Sequence, residues 1–161
     1  MWDVGQLLKA GCYKIVKLIG GGGFGLTYLA NDPFLQRQVV IKRPNKNFQS
    51  VQGYETFVNR FQQEGQSLAK VSHPNVVPVI EFFYEKEIPC LVLAYVEGET
   101  IYQYIQNHGV LSSREVWTLF AKLSHAINLL HKNNVIHCDI HPGNIILQPN
   151  IVLILIDFGS S

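Results

Sequence analysis

The sequence predicts an α+β chain, rich in strands with one inserted helix in its first half and mostly helical in its second. Three observations carry that expectation. Residues 13–43 hold three runs of β-forming side chains. Two more such runs lie between residues 76 and 96. Residues 112–132 repeat apolar side chains at helical spacing.

YKIVKLIG (13–20) alternates, GLTYLAND (25–32) is rich in β-formers, and QVVIKR (38–43) is a short apolar run carrying one lysine. The polar stretch PNKNFQSVQG then leads into a helical pattern over about 54–70. After HPN (73–75) the runs VVPVIEFFY and PCLVLAYV are separated by the charged turn EKE. Glu97-Gly98 breaks the pattern, and 97–100 is the one plausible hinge. A short helix is expected over 99–107. The next helix has Ser112 or Ser113 as N-cap, with Val116, Leu119, Phe120, Leu123, Ile127 and Leu130 as its apolar stripe. Two short strands follow, IILQ and IVLILI, with Pro149-Asn150 turning between them.

Of the 161 residues, 47% are apolar and 16% charged, enough to bury a core. A net charge of +1, 13 basic residues against 12 acidic, gives no reason to expect nucleic acid or an anionic membrane as partner. The run IVLILI is six residues long, against the ~20 of a membrane-spanning helix, and lysines break up the N-terminus. Cys12, Cys90 and Cys138 are too few and too scattered for a disulfide framework or a zinc site. A cytoplasmic location is the expectation.

Gly20, Gly22 and Gly25 stand at G-x-G-x-x-G spacing between two strands, where missing side chains let backbone N–H groups approach phosphate oxygens. A dinucleotide fingerprint would open a helix and a P-loop would continue G-K-[ST]; neither follows. A glycine-rich hairpin without a ligand has the same appearance. In the helix after it, Phe57, Phe61, Glu64 and Leu68 are spaced 4, 3 and 4, so Glu64 lies within an apolar stripe. An unpaired carboxylate there is costly, and Lys42, at the end of the apolar VVIK, is its candidate partner. The alternative is that Glu64 reaches the helix edge and Lys42 reaches solvent.

HCDIHPGN (137–144) packs two histidines, an aspartate and an asparagine into eight positions. Zinc is disfavoured, because Pro142-Gly143 ends any helix that would align His137 with His141, and HExxH is absent. A plain polar turn remains open beside a catalytic loop. In the catalytic reading Asp139 orients and deprotonates a hydroxyl while Asn144 holds a metal. Asp157, at the end of a buried strand and before Phe158-Gly159, suits Mg²⁺ bound to nucleotide phosphates.

In order, GGGGFG (20–25), VVIK (39–42), FQQEGQSLAKVSHPNVV, LVLAYVEGE (91–99), HCDIHPGN and DFG (157–159) resemble the motifs of the protein-kinase family, more narrowly the eukaryotic-like serine/threonine kinases of bacteria. The resemblance implies a protein-kinase-like fold, with a β-rich N-lobe at 13–96 and the start of a helical C-lobe at 97–161. It implies ATP and Mg²⁺ as cofactors and a protein substrate. Gly20, Gly21, Gly22, Gly23, Phe24 and Gly25 would cover the phosphates. Lys42 would contact the α/β-phosphates and pair with Glu64. Leu93 would be gatekeeper, and Tyr95 and Val96 would offer backbone groups to adenine, sandwiched by Thr27, Val40 and Ile146. Asp139 would be the base, with Asn144 and Asp157 binding Mg²⁺. Leu68, His137 and Phe158 would join an internal hydrophobic column.

The chain departs from the family at three places. Cys138 stands where most members have an arginine that receives a phosphorylated loop, so regulation by loop phosphorylation is not expected. His141 replaces a lysine near the γ-phosphate, predicting weaker transfer and a pH dependence near about 6–7 if the imidazolium matters. H-x-D-x-H-P-G-N also resembles choline and aminoglycoside phosphotransferases and ABC1-like kinases. After DFG come only Ser160 and Ser161. That ending is read as a truncated gene, an incomplete sequence or one part of a split protein whose other half is supplied elsewhere. It would expose the apolar face of the 112–132 helix and could leave an ATP-binding fragment without transfer activity.

Overall fold

The structure, a computed structural model, describes residues 1–22, 25–48, 50, 52–149 and 152–158. Gly23, Phe24, Gly159, Ser160 and Ser161 lie outside the described residues. Two compact units are present, residues 1–69 with 79–95, and residues 70–78 with 96–161.

The first unit is built on a six-stranded antiparallel sheet. Its strands are β1 (Leu7–Leu8), β2 (Tyr13–Gly22), β3 (Gly25–Asp32), β4 (Arg37–Pro44), β5 (Val79–Glu85) and β6 (Ile88–Ala94), in the order β1-β2-β3-β4-β6-β5. Period-two alternation separates its faces. Ile15, Tyr28, Ala30, Val39, Ile41, Cys90 and Val92 build a buried core that also takes in Leu8 and Tyr13. Helix α1 (Tyr54–Leu68) packs on the other face. There Gly65 is buried, and a Cβ on it would stand in ordinary contact with Leu91 at 3.4 Å and Phe82 at 3.5 Å.

β1 is the one strand of this sheet that the sequence patterns do not mark. It belongs to an N-terminal strap laid over the core. Trp2 donates its backbone N–H to the Tyr28 hydroxyl at 3.1 Å, and its ring lies 4.5 Å from the buried guanidinium of Arg43. Farther along, Lys9 pairs with Glu81, which also accepts from the Tyr13 hydroxyl. Burial lifts the Tyr13 phenol, and the Glu81 bond adds to it. Glu81 itself is held below the usual carboxylate range, because the bonds from Lys9 and Tyr13 outweigh its burial.

In the second unit Thr100 and Ser112 each close a capping box, at the starts of α2 (Ile101–His108) and α3 (Ser113–Lys132). The cap at Thr100 sets the α2 start two residues later than the sequence pattern suggests. α3 buries Leu119, Ala126 and Leu130 but leaves Val116, Trp117 and Phe120 exposed. β7 (Glu99–Thr100), β8 (Ile145–Gln148) and β9 (Val152–Leu155) form a small antiparallel sheet. The segment 70–78 is stitched to it. Asn75 donates its side-chain amide to Leu153 O at 2.8 Å and accepts from Leu155 N at 2.9 Å, while Val77 N donates to Leu155 O at 3.0 Å.

Candidate functional site

In the first unit the sheet register collects the expected nucleotide-binding residues on one face. Gly20 pairs with Thr27, Thr27 with Lys42, and Lys42 with Leu91. Val40 sits two positions from Lys42, opposite Leu93. Directly opposed residues share a face, so Gly20, Thr27, Val40, Lys42 and Leu93 point to the same side as α1. Gly21 and Gly22 end β2 and Gly25 begins β3. Tyr95, exposed, follows β6 at the end of this unit, and half-buried Val96 opens the next.

Lys42 is largely buried, 9% exposed. Glu64, on α1, feels it: burial pushes the Glu64 carboxyl above its ordinary value, against the pull of the Lys42 and Arg60 charges. The structure thus brings the two candidate partners into electrostatic reach. Desolvation still outweighs their attraction.

In the second unit the loop 137–144 is organised by its own polar atoms. His137 is buried, and its Nδ1 accepts from Asp139 N at 3.3 Å. That acceptor role leaves the proton on Nε2, which donates to Ile156 O at 2.8 Å. The imidazole so joins the loop to the residue before Asp157, and its ring stacks 4.5 Å from Phe158. Asn144, also buried, donates its amide to both Asp139 O (3.0 Å) and Asp139 Oδ2 (3.2 Å), while its backbone carbonyl accepts from Ile156 N at 2.9 Å. The Asn144 side-chain oxygen makes no hydrogen bond among the described residues. Cys138 and Asp157 both adopt left-handed φ, 62° and 63°, a conformation that costs energy in a non-glycine residue and clusters at functional loops.

His141 turns its ring back over the short 3₁₀ turn Pro142–Asn144, which it caps by accepting from Gly143 N at 3.1 Å through Nδ1. Its Nε2 lies 3.7 Å from Asp139 Oδ2, beyond hydrogen-bond reach. Ile146 is buried in β8, two residues past Asn144.

Asn75 and Gly143 escaped functional notice in the sequence. A buried amide inside an H-P-N turn that precedes an apolar run was the available signal for the first. For the second there was none, because only the folded position of the His141 ring makes glycine necessary. A Cβ on Gly143 would lie 2.8 Å from His141 Cε1.

A strand-rich unit with one helix, a second unit with a capped helix pair, and a D-x₄-N loop joined to a following D-F dipeptide are features of the protein-kinase fold. The family described as Protein kinase domain matches residues 13–161, and this chain belongs to it. It is 35% identical over 150 residues to the serine/threonine-protein kinase PrkC of Bacillus subtilis, covering 93% of this chain and 23% of that protein. The probable serine/threonine-protein kinase PknB of Lactococcus lactis is 31% identical over 160 residues, covering 99% and 25%. The chain thus spans about a quarter of the length of these curated relatives. Among solved structures, the apo form of PpkA-294 superposes with a TM-score of 0.80 at 26% identity, over 99% of this chain and 62% of that one. The Mycobacterium tuberculosis PknI kinase domain gives 0.79 at 22%, over 100% and 64%, a likeness of fold alone. No helix among the described residues is long and apolar enough to cross a membrane.

Proposed function

We propose that the chain carries the nucleotide-binding and catalytic-loop portion of an ATP-dependent serine/threonine protein kinase acting in the cytoplasm, a compartment consistent with its three free thiols. The observation that carries this reading is the Asp139–Asn144 pair. Asn144 fixes the Asp139 carboxylate through Oδ2 and keeps its own side-chain oxygen unbonded. Asp157 supplies a second hard oxygen ligand at the end of β9. Among the described residues no group of three or more His, Cys, Asp or Glu is placed to hold a metal. Mg²⁺ would therefore take Asn144 and Asp157 oxygens together with phosphate oxygens. That donor set fits an ion that keeps few protein ligands.

When bound, Mg-ATP supplies the transferable γ-phosphoryl group and the cation that neutralises its charge. The chain's residues do the rest. Gly20, Gly21, Gly22 and Gly25 would let phosphate oxygens approach the backbone, and Lys42, with Glu64 as its partner, would offer them a positive charge. Thr27 and Val40 of the first unit would supply apolar surface for adenine, with Leu93 as gatekeeper, and the backbone at Tyr95 and Val96 would supply its hydrogen bonds. Asp139 would accept the hydrogen bond of a serine or threonine hydroxyl, orient its oxygen and take its proton as the γ-phosphorus exchanges its bond to the departing ADP oxygen for one to that hydroxyl oxygen. His141 caps the turn that delivers Asn144.

The test is calorimetric titration with Mg-ATP, followed by phosphate transfer to a generic protein substrate, for wild type, Lys42→Ala and Asp139→Asn. Lys42→Ala is expected to weaken nucleotide binding or its productive alignment. Asp139→Asn should bind ATP as wild type does and lose transfer by about 10²–10⁴-fold. Equal, specific ATP binding by wild type and Lys42→Ala, with equal transfer, would sink the assignment.

A further inference from the structure

Behind the candidate nucleotide site stands a charge without a counter-charge. Arg43 is 3% exposed, and no carboxylate pairs with it among the described residues. Its Nη1 donates to Pro44 O at 3.1 Å and its Nη2 to the Tyr28 hydroxyl at 3.4 Å, while its Nε has no hydrogen-bond partner among the described residues. A cation buried on these terms is costly unless something else offsets its lost water. Two aromatic faces do so. The Trp2 ring lies 4.5 Å from the guanidinium carbon and the Tyr28 ring 5.7 Å, with the rings 5.0 Å apart.

The backbone N–H of Trp2 donates to the same Tyr28 hydroxyl that accepts from Arg43, so the three residues form one cluster. The strap carrying Trp2 is tied to β2, where Gly5 N donates to Ile15 O at 2.8 Å and Ile15 N to Gln6 O at 2.9 Å. The sheet register puts this cluster directly behind the candidate site. Leu26 opposes Arg43, and on either side of that pair Gly25 opposes Pro44 and Thr27 opposes Lys42. Alternation turns Lys42 to the α1 face and Arg43 to the core face. The two are consecutive on β4, so a backbone shift at Arg43 carries Lys42 with it.

We propose that Trp2, from a segment ahead of the matched family region, is a positioning residue for Lys42. Its ring offsets the lost hydration of the Arg43 guanidinium and so fixes the strand end from which Lys42 reaches nucleotide phosphates. Without that ring, water reaches Arg43, and its solvation draws the end of β4 outward. The inference rests on the nucleotide-binding reading of Lys42 and adds the N-terminal strap to that site's support.

The test is a double-mutant cycle on the 161-residue chain, with Mg-ATP and adenosine affinities measured by calorimetry. Trp2→Ala should weaken Mg-ATP binding by roughly two- to thirty-fold, the range a cation–π contact can transmit, and leave adenosine affinity unchanged. In the Lys42→Ala background the same change should have no further effect. Trp2→Phe, which keeps an aromatic face over Arg43, should recover most of the loss. Trp2→Leu, which fills the space without such a face, should keep the fold by circular dichroism and behave as Trp2→Ala does. Hydrogen exchange without nucleotide should rise over 25–29 and 40–44 in Trp2→Ala and Trp2→Leu. Additive losses in the cycle, an equal loss of adenosine affinity, or unchanged exchange over those strands would each overturn the proposal. Unchanged Mg-ATP binding in the Trp2 variants, with Lys42→Ala weakened, would overturn this inference alone. Unchanged binding in Lys42→Ala would overturn the nucleotide-site reading and the inference with it.

Discussion

Gly98→Ala is the substitution whose cost the structure fixes most directly. Gly98 has φ +146°, and a Cβ built there would stand 2.4 Å from Leu147 O, 2.7 Å from Ile146 Cγ2 and 3.3 Å from Leu147 C. Two of those three atoms are backbone of β8, so no side-chain rotation relieves the clash. The conformation alone costs a non-glycine residue about 1–3 kcal/mol. Overpacking against an immovable neighbour adds about 1–3 kcal/mol. The expected loss is therefore about 2–6 kcal/mol, a large share of the ~5–15 kcal/mol that holds an ordinary domain together. The damage falls on the β7–β8 pairing, where Glu99 opposes Leu147 and Thr100 opposes Ile146. Hydrogen exchange read by mass spectrometry, with urea unfolding followed by circular dichroism, would locate it. Exchange should rise first over 98–108 and 144–149, while β2 to β4 keep their protection. A loss under about 1 kcal/mol, or exchange rising equally in both units, would refute the reasoning.

Three further substitutions probe the site. Because the folded Glu64 carboxyl sits above its ordinary value of 4.5, stability is fullest below that pH and is lost as pH climbs through the raised value. Wild type should therefore lose urea resistance relative to Glu64→Gln across that window and then level off; a constant offset at all pH values would contradict it. Asn75→Asp replaces the amide that donates to Leu153 O with a buried carboxylate, at a cost of about 3 kcal/mol near neutral pH, falling in acid as the neutral acid regains a donor; a urea midpoint that does not move with pH would count against this. Gly143→Ala should displace the His141 ring and break its bond from Gly143 N, costing about 0.5–1.5 kcal/mol. In the background of His141→Ala the same change should be nearly silent, and simple additivity in this double-mutant cycle would show that the two do not interact.

The architecture was legible because its signals are local. Alternation marked β2 to β6, a Ser cap marked α3, and the motif order marked the family. Glu64 could be paired with Lys42 on the ground that a carboxylate in an apolar stripe needs a cation. What the sequence hid was mostly burial by distant partners. Arg43, one residue past Lys42, looks like an ordinary strand-end charge. Yet it is 97% hidden beneath Trp2, from a segment that precedes the matched family region. Neither residue carries a period or motif that announces the other. Along the apolar stripe of α3 the fold buries Leu119 and Leu130 but leaves Val116 and Phe120 exposed, in line with the exposure expected of that face.

His141 shows why a departure from a family pattern is better judged in three dimensions. By residue type alone it exchanges a fixed charge for a titratable ring and only weakens the loop. In place, the ring accepts the Gly143 amide, caps the Pro142–Asn144 turn and keeps its second nitrogen toward Asp139. That turn delivers Asn144, whose amide holds Asp139 and whose carbonyl receives Ile156 N just before Asp157. The substitution therefore sits at the start of a hydrogen-bonded path through Asn144 to Asp139 and to Ile156, the residue before Asp157. Such a ring holds the loop only if position 143 has no side chain. The glycine and the histidine are one feature of this sequence, and a change at either is felt at Asp139.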